Sequence, residues 1–485
     1  MKKIKKFFFE NTNIKQTIVK NSFWMTLGIF FIKFVRAIII IYAARLLGTE
    51  NYGIYTYLFS LVAIFSFFSD IGLINILTRD IAKHSEEKSQ YISTTLFLKL
   101  GLLSLIVILI SLIVPLISKF DGMTIIIIIM AITMGIESLK NFFYAIPRAE
   151  NKMQVETGLL ISTEIISIFI IIFIFFKNPS IKSLAIAYMI GNFTGLFITI
   201  LFLHKKLIGI FKNFNKKLIK YILTSAWPFA IMGFFGIFMA NIDSIIIGIY
   251  GNANMLGAYA AAQRPISLLY IIPGILTTIL FPIISKLMKE GKGKQISLII
   301  NKSSVLLLGI GLPIVIGGII LAKPLINVVY GYQYIGATLT FQFLLLTILL
   351  MFPNTIWSDV LFAENKQKIF LKSSILGALT NVGLDFLLIP IYGIVGSAVA
   401  TILSLLVVNI IFFIEVNKNY KLNITKQMKK IIFSAIIMGF VVFIMKTLFW
   451  PLILIITLAI IIYFGILFIL KEEIIEDIKQ GFIIS

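Results

Sequence analysis

Long apolar runs alternate with short polar breaks along the whole chain. A helix that crosses a bilayer needs about 20 mostly apolar residues in succession. Runs of that length lie near 18–44, 53–77, 91–117, 122–146, 157–176, 183–203, 220–249, 257–284, 303–322, 335–362, 370–390, 393–414, 430–448 and 450–470. The pattern predicts an all-α, polytopic membrane protein with about fourteen transmembrane helices. The first run is too long for the apolar part of a signal peptide, and no small-residue cleavage site follows it, so it is expected to be retained.

The polar breaks repeat. Ala149-Glu150-Asn151-Lys152 returns as Ala363-Glu364-Asn365-Lys366, each between two apolar runs. In the same phase, Gly53-Ile54-Tyr55 and Gly257-Ala258-Tyr259 each follow a short polar turn. Both spacings are close to a period of about 210 residues, the internal duplication expected of transporters. Six helices per unit keep both copies in one orientation, which predicts two parallel six-helix lobes, 1–220 and 221–428. A terminal helix pair, 429–485, follows. The linker His204–Lys220 alternates basic residues with Leu207, Ile208, Phe211, Phe214 and Leu218, a pattern suited to the inner headgroup layer or to a plain basic linker.

Composition agrees with this reading: 59% of residues are hydrophobic and 13% charged, against about 25% charged in soluble domains. The net charge of +22 would suggest nucleic acid in a soluble protein. Its distribution removes that meaning. Basic residues crowd into His204–Lys220, Ser285–Lys302 and Val416–Lys430, whereas Tyr250–Leu256 and Pro390–Gly393 have none. The positive-inside rule then puts both termini in the cytoplasm, with Met1-Lys2-Lys3 at one end and Lys471 and Lys479 at the other. Cysteine is absent, which excludes disulfide and thiol chemistry.

Enzyme signatures are missing. The chain has no phosphate-cradling glycine loop, no His-Glu-x-x-His, and two histidines, His84 and His204. Gly291-Lys292-Gly293-Lys294 reads as a solvated basic loop. No enzyme activity, metal or cofactor is expected, apart from proton or sodium coupling.

The informative residues are ionisable groups inside apolar runs, where each needs a partner or a wet cavity. Lys33 and Arg36 share one helix face, as do Glu137 and Lys140, which could neutralise each other. Glu164 lies about two turns into its helix. Asp243 and Arg264 both fall toward the outer side, which allows an ion pair. Asp385 sits near mid-helix, and Asp70 is deeper than a helix end. Lys99 and Asp359 lie near inner helix ends, where snorkelling suits the lysine. The repeat pairs Glu137 and Lys140 with Met351 and Asn354, so the two lobes differ chemically. Pro228, Pro265, Pro273 and Pro282 are hinge candidates, because an interior proline removes a helix hydrogen bond.

Ala43-Ala44-Arg45-Leu46-Leu47-Gly48-Thr49-Glu50-Asn51-Tyr52-Gly53-Ile54-Tyr55 and then Ser69-Asp70-Ile71-Gly72-Leu73 resemble the start of bacterial polysaccharide-biosynthesis proteins. These are oligosaccharide flippases of the multidrug/oligosaccharidyl-lipid/polysaccharide exporter superfamily, with a MATE-like fold. Asn241-Ile242-Asp243 with Gly257-Ala258-Tyr259 resembles their seventh-to-eighth-helix segment. The resemblance implies a flippase of the cytoplasmic membrane that carries an undecaprenyl-pyrophosphate-linked O-antigen or capsule repeat unit outward. It also implies membrane lipids and other polysaccharide-assembly proteins as partners. Lys33, Arg36, Lys140 and Arg264 would attract the pyrophosphate in a cavity between lobes. Asp70, Glu137, Glu164, Asp243 and Asp385 would serve coupling or charge pairing. A multidrug antiporter and a peptidoglycan-precursor (lipid II) flippase are the alternatives within the superfamily. A membrane polysaccharide polymerase is a more distant one. Drug antiporters usually have twelve helices and favour acidic cavities, unlike a chain with Lys33 and Arg36 on its first helix.

Overall fold

A computed structural model describes residues 14–84 and 86–472. The basic stretch Met1–Lys6 and Lys479 lie outside the described residues. Within them the fold is all-α, because a backbone in hydrocarbon has no water to bond and must satisfy its own donors and acceptors. In order the helices are α1 (Ile14–Ser66), α2 (Leu73–Lys83), α3 (Lys88–Ile117), α4 (Thr124–Ala149), α5 (Met153–Phe175), α6 (Ile181–Leu207) and α7 (Lys216–Tyr250). They continue as α8 (Ala253–Leu269), α9 (Ile271–Lys289), α10 (Gly293–Tyr330), α11 (Thr338–Ala363), α12 (Gln367–Tyr420), α13 (Ile424–Thr447) and α14 (Leu452–Ile469).

Among the described residues, twelve helical stretches are long and apolar enough to cross a membrane. Two of them, of 61 and 54 residues, are far longer than one crossing needs. Each contains a glycine off helical geometry, Gly48 (φ 77°, ψ 170°) in α1 and Gly393 (φ 59°, ψ −139°) in α12. A side chain would clash in either conformation, so these are the places where the chain can turn back. The expected count of fourteen requires each to be read as two crossings.

The run expected at 257–284 is broken at Tyr270, between α8 and α9. Pro273 lacks the N–H that would bond the carbonyl of Leu269, and the helix divides at that point. Pro228 and Pro265 lie inside α7 and α8, and Pro282 inside α9.

By packing, the chain forms two compact units, Met1–Gly257 and Ala258–Ser485. Helix α7 follows the lobe linker in sequence, yet it packs on α1, α2 and α3 and so belongs to the first unit. A repeat boundary and a packing boundary are different quantities. The core of the first unit joins α2, α3, α4 and α6 through Leu77, Ile92, Phe142, Ile146 and Leu203. Also in this unit, Gly53 of α1 meets the start of α8. A Cβ on Gly53 would lie 1.8 Å from the Ala253 carbonyl oxygen, and one on Gly257 would lie 1.9 Å from that of Thr49.

In the second unit, α13 and α14 pack on α10. Ile431, Ala435, Met438, Val442 and Met445 form a stripe at helical spacing against Val305 and Leu321, with Ile455, Ala459, Tyr463 and Leu467 completing the cluster. The Tyr463 hydroxyl donates to the Gly309 carbonyl at 2.6 Å. Large apolar side chains such as Leu116, Phe169 and Ile453 remain exposed, as a surface facing lipid permits.

Candidate functional site

The first unit gathers ionic side chains from α1, α4, α5 and α6. Arg36 of α1 holds Glu164 of α5 with two donors, Nε to Oε1 at 2.8 Å and Nη2 to Oε2 at 3.1 Å. Its Nη1 donates to Glu137 Oε1 of α4 at 2.8 Å. A guanidinium fork suits this arrangement because its donors are coplanar and fixed in angle. Glu164 is buried, whereas Arg36 and Glu137 each keep about a third of their side-chain surface open (33% and 31%). The cluster can therefore be reached from one side.

Lys140, one turn beyond Glu137, is also buried. Its ammonium donates to Asn192 Oδ1 of α6 at 2.8 Å. Its charge balances the cluster: Arg36 and Lys140 against Glu137 and Glu164. Gly195 makes room for the lysine stem, since a Cβ there would lie 3.4 Å from Lys140 Cδ and 3.2 Å from Thr163 Cβ. Close by, the Tyr144 and Thr163 hydroxyls are 2.7 Å apart. Asn192, Tyr144 and Thr163 were not singled out from sequence. The available signal was Gly191-x-x-x-Gly195, the small-residue spacing that lets membrane helices approach closely.

Lys33, in contrast, is exposed, and it makes no hydrogen bond or ion pair among the described residues. Lys99 overturns the snorkelling expectation. It is fully buried and donates to Asp70 Oδ1 at 2.8 Å and to Ser138 Oγ at 2.6 Å. A carboxylate within reach stabilises the buried ammonium better than a stretch to the surface. Asp243 is buried on α7 in the first unit, while Arg264, partly exposed on α8, falls in the second. Asp385 on α12 is fully buried one turn after the buried Asn381. Asp359, half-buried on α11, has no hydrogen bond or ion pair among the described residues. No group of three or more His, Cys, Asp or Glu is placed to hold a metal ion among the described residues.

The duplicated tetrapeptide is a helix stop in both copies. Asn151 (φ 58°) and Asn365 (φ 59°) adopt the left-handed conformation that ends a helix, and asparagine tolerates it better than most residues. The preceding glutamates tie that stop to the end of a later helix. Glu150 pairs with Lys206 at the end of α6 and lies 3.5 Å from both Lys88 and Lys152. Glu364 accepts from Asn419 at 2.8 Å and Tyr420 at 2.9 Å at the end of α12, and pairs with Lys366 at 3.0 Å. Burial pushes the Glu150 carboxyl up, but Lys206, with Lys152 and Lys88, outweighs it and holds the group below the usual carboxylate range.

A family profile described as Polysaccharide biosynthesis protein matches residues 18–288, more than half of the chain. The chain belongs to the polysaccharide biosynthesis protein family. A second profile, MatE, matches residues 228–387. Among similar proteins, the probable low-salt glycan biosynthesis flippase Agl15 of Haloferax volcanii is 26% identical over 219 residues, covering 44% of this chain and 45% of that protein. The probable flippase AglR of the same organism is 24% identical over 167 residues, covering 34% of this chain and 35% of that protein. In both matches the chain spans less than half of the relative's length.

The fold is shared with solved membrane transporters. The lipid II flippase MurJ in an inward closed conformation superposes with a TM-score of 0.72 at 19% identity, covering 92% of this chain and 99% of that one. An inward-facing multidrug resistance MATE family transporter of the MOP superfamily gives a TM-score of 0.65 at 15% identity, over 79% and 93%. This member of the polysaccharide biosynthesis family is a multi-pass membrane protein with a MATE-like fold.

Proposed function

We propose that this protein is a flippase for an undecaprenyl-pyrophosphate-linked oligosaccharide, the repeat unit of an O-antigen or capsule. It carries the sugar head from the inner to the outer leaflet of the bacterial cytoplasmic membrane by alternating access. The observation that carries this reading is the half-open ionic cluster at Arg36, with Lys33 free one turn away. A guanidinium accepts phosphate in the same two-pronged manner as carboxylate. A pyrophosphate can therefore compete with Glu137 for Arg36, with the exposed Lys33 supplying the positive charge that the already neutral cluster lacks. Lys140 and Arg264 are further candidates for anion binding. The printed roles of Agl15 and AglR, both probable flippases, support the same reading.

Glu137, Glu164 and Asp70 act as charge partners of Arg36 and Lys99. Asp243 and Asp385, buried carboxylates within helices, are the candidates for proton or sodium coupling. The two lobes (1–220 and 221–428) and the terminal pair (429–485) make fourteen crossings, with both termini cytoplasmic. Pro273, together with Pro228, Pro265 and Pro282, supplies the bends. An inside-negative potential favours outward movement of an anion by about 2.3 kcal/mol per charge per 100 mV. Membrane lipids and other polysaccharide-assembly proteins are the expected partners.

The test is headgroup accessibility of fluorescent lipid-linked oligosaccharide in proteoliposomes, with Lys33→Ala and Lys33→Ala/Arg36→Ala beside the wild type. Lys33 has no partner to lose, so its variant is expected to insert normally and flip more slowly. Equal flipping by all three proteins would refute the cationic site. Transport of lipid II but not oligosaccharide, or of a cationic dye alone, would move the protein to another branch.

A further inference from the structure

A cavity of about 350 Å³ lies in the second unit, at the end of α10 remote from the basic turn Gly291–Lys294. By charge distribution this is the outer face. Its walls are the last turns of α10, the turn between α13 and α14, and the first turn of α14. Lys323 and Lys446 both line it, with Asn327 and Trp450.

Lys446 is fixed there by the sequence of α10. Pro324 has no N–H for the carbonyl of Ile320, four residues earlier. The Lys446 ammonium takes that carbonyl, Nζ to O at 2.7 Å. One of its three donors is used, and the charge stays uncompensated. Lys323 is exposed and has no hydrogen-bond or ion-pair partner among the described residues. The segments Gly317–Thr338 and Phe440–Thr457 contain no Asp or Glu. Two ammonium groups thus share a cavity at a membrane-helix end without a nearby carboxylate in either segment that builds it. An anion completes such a site.

The rim says which kind of anion. Leu448, Phe449 and Ile453 are 61%, 94% and 81% exposed. Phe449 stands at φ 56°, a conformation that is costly for an aromatic residue. Trp450 lines the same cavity. Further along α14, away from the turn, Ile453, Ile456 and Ile460 are exposed, and this apolar surface beneath a cationic pocket matches a molecule with a phosphate head and acyl chains.

The geometry points to a binding site for the phosphodiester head of an anionic membrane lipid in this cavity, occupied from the outer leaflet. It is separate from the Arg36 cluster and does not rest on the flippase reading. Phosphatidylglycerol supplies the chemistry: the phosphate meets Lys323 and Lys446, the glycerol hydroxyls meet Asn327, and the chains run along Ile453, Ile456 and Ile460 of α14.

The full-length protein in detergent is titrated with phosphatidylglycerol, phosphatidylcholine or inorganic phosphate, reading the melting temperature and the lipid retained in native mass spectra. Phosphatidylglycerol is expected to raise the melting temperature, and the other two to leave it unchanged. Lys323→Gln removes no internal contact and is expected to weaken phosphatidylglycerol binding about fivefold. Lys177→Gln, a charge elsewhere, is expected to change nothing. Lys446→Met additionally frees the Ile320 carbonyl, so it is scored only if it folds. Equal binding of phosphatidylglycerol to Lys323→Gln and wild type would overturn the site. Equal stabilisation by phosphatidylcholine would reduce it to apolar contact, and stabilisation by inorganic phosphate alone would make the ligand a soluble anion.

Discussion

A guanidinium shared by two carboxylates makes Arg36 the residue whose loss matters most in the first unit. Removing it leaves Glu137 and Glu164 facing each other in low-dielectric surroundings, and breaking a buried pair costs more than the pair contributes. Arg36→Ala is therefore expected to lower the melting temperature more than Arg36→Ala/Glu164→Gln, which leaves Lys140 balanced by Glu137, measured in detergent. If the double variant is the less stable, the cluster contributes net stability beyond charge compensation. Glu150 gives the pH prediction. Its carboxyl titrates below the ordinary value. Its stabilisation is thus complete above the unfolded pKa, about 4.3, and is lost as pH falls through the folded value. The melting temperature of the wild type should fall more steeply below about pH 5 than that of Glu150→Gln. Parallel curves would mean that Lys206, Lys88 and Lys152 do not hold the ionised form.

Single residues also mark the limits of sequence reading. Arg36, Glu137 and Lys140 stand out in the sequence because they are charged within apolar runs. Their partners do not, because contact is set by helix packing: Arg36 reaches Glu137 across 101 residues and Glu164 across 128. Lys140 hydrogen-bonds Asn192 across 52 residues, a partner that no charge or spacing in the sequence marks.

Between helices, Gly53 and Gly257 bring backbone directly against backbone in the first unit. No rotamer change relieves a clash with a carbonyl. Gly53→Ala is expected to destabilise by about 3 kcal/mol or more, read as loss of a monodisperse peak in size-exclusion chromatography. A normal peak and melting temperature would show that α1 and α8 can separate at no cost. The elements themselves were legible from apolar run length and polar breaks. The division of the run at 257–284 was half legible: the prolines mark it, but their spacing does not say that the helix runs through Pro265 and breaks beside Pro273.

The whole molecule has an expected dependence on its terminal pair. Helices α13 and α14 cover Val305 and Leu321 of α10 with a continuous apolar stripe. Deleting everything after residue 423 exposes that face of α10. The shortened protein is expected to aggregate on extraction, and recovery of a stable monomer would show the pair to be an appendage. The family and the all-α, MATE-like fold were readable from sequence. The packing division at Gly257 was not, because α7 carries no signal of which neighbours it prefers.

The Ala-Glu-Asn-Lys stop occurs twice in one polypeptide, with the same left-handed asparagine and different partners for the glutamate. The molecule therefore contains its own matched control. Asn151→Gly and Asn365→Gly change the same backbone geometry, so the generic benefit of glycine cancels when their effects are subtracted. Each glutamate also pairs with its own tetrapeptide lysine, Lys152 or Lys366, so what remains is the difference between a stop clasped by the distant lysines Lys206 and Lys88 and one clasped by an amide and a phenol. Salt should erase that difference to the extent that it is charge, because screening reaches the added Glu150 ion pairs and leaves the Asn419 and Tyr420 hydrogen bonds largely untouched.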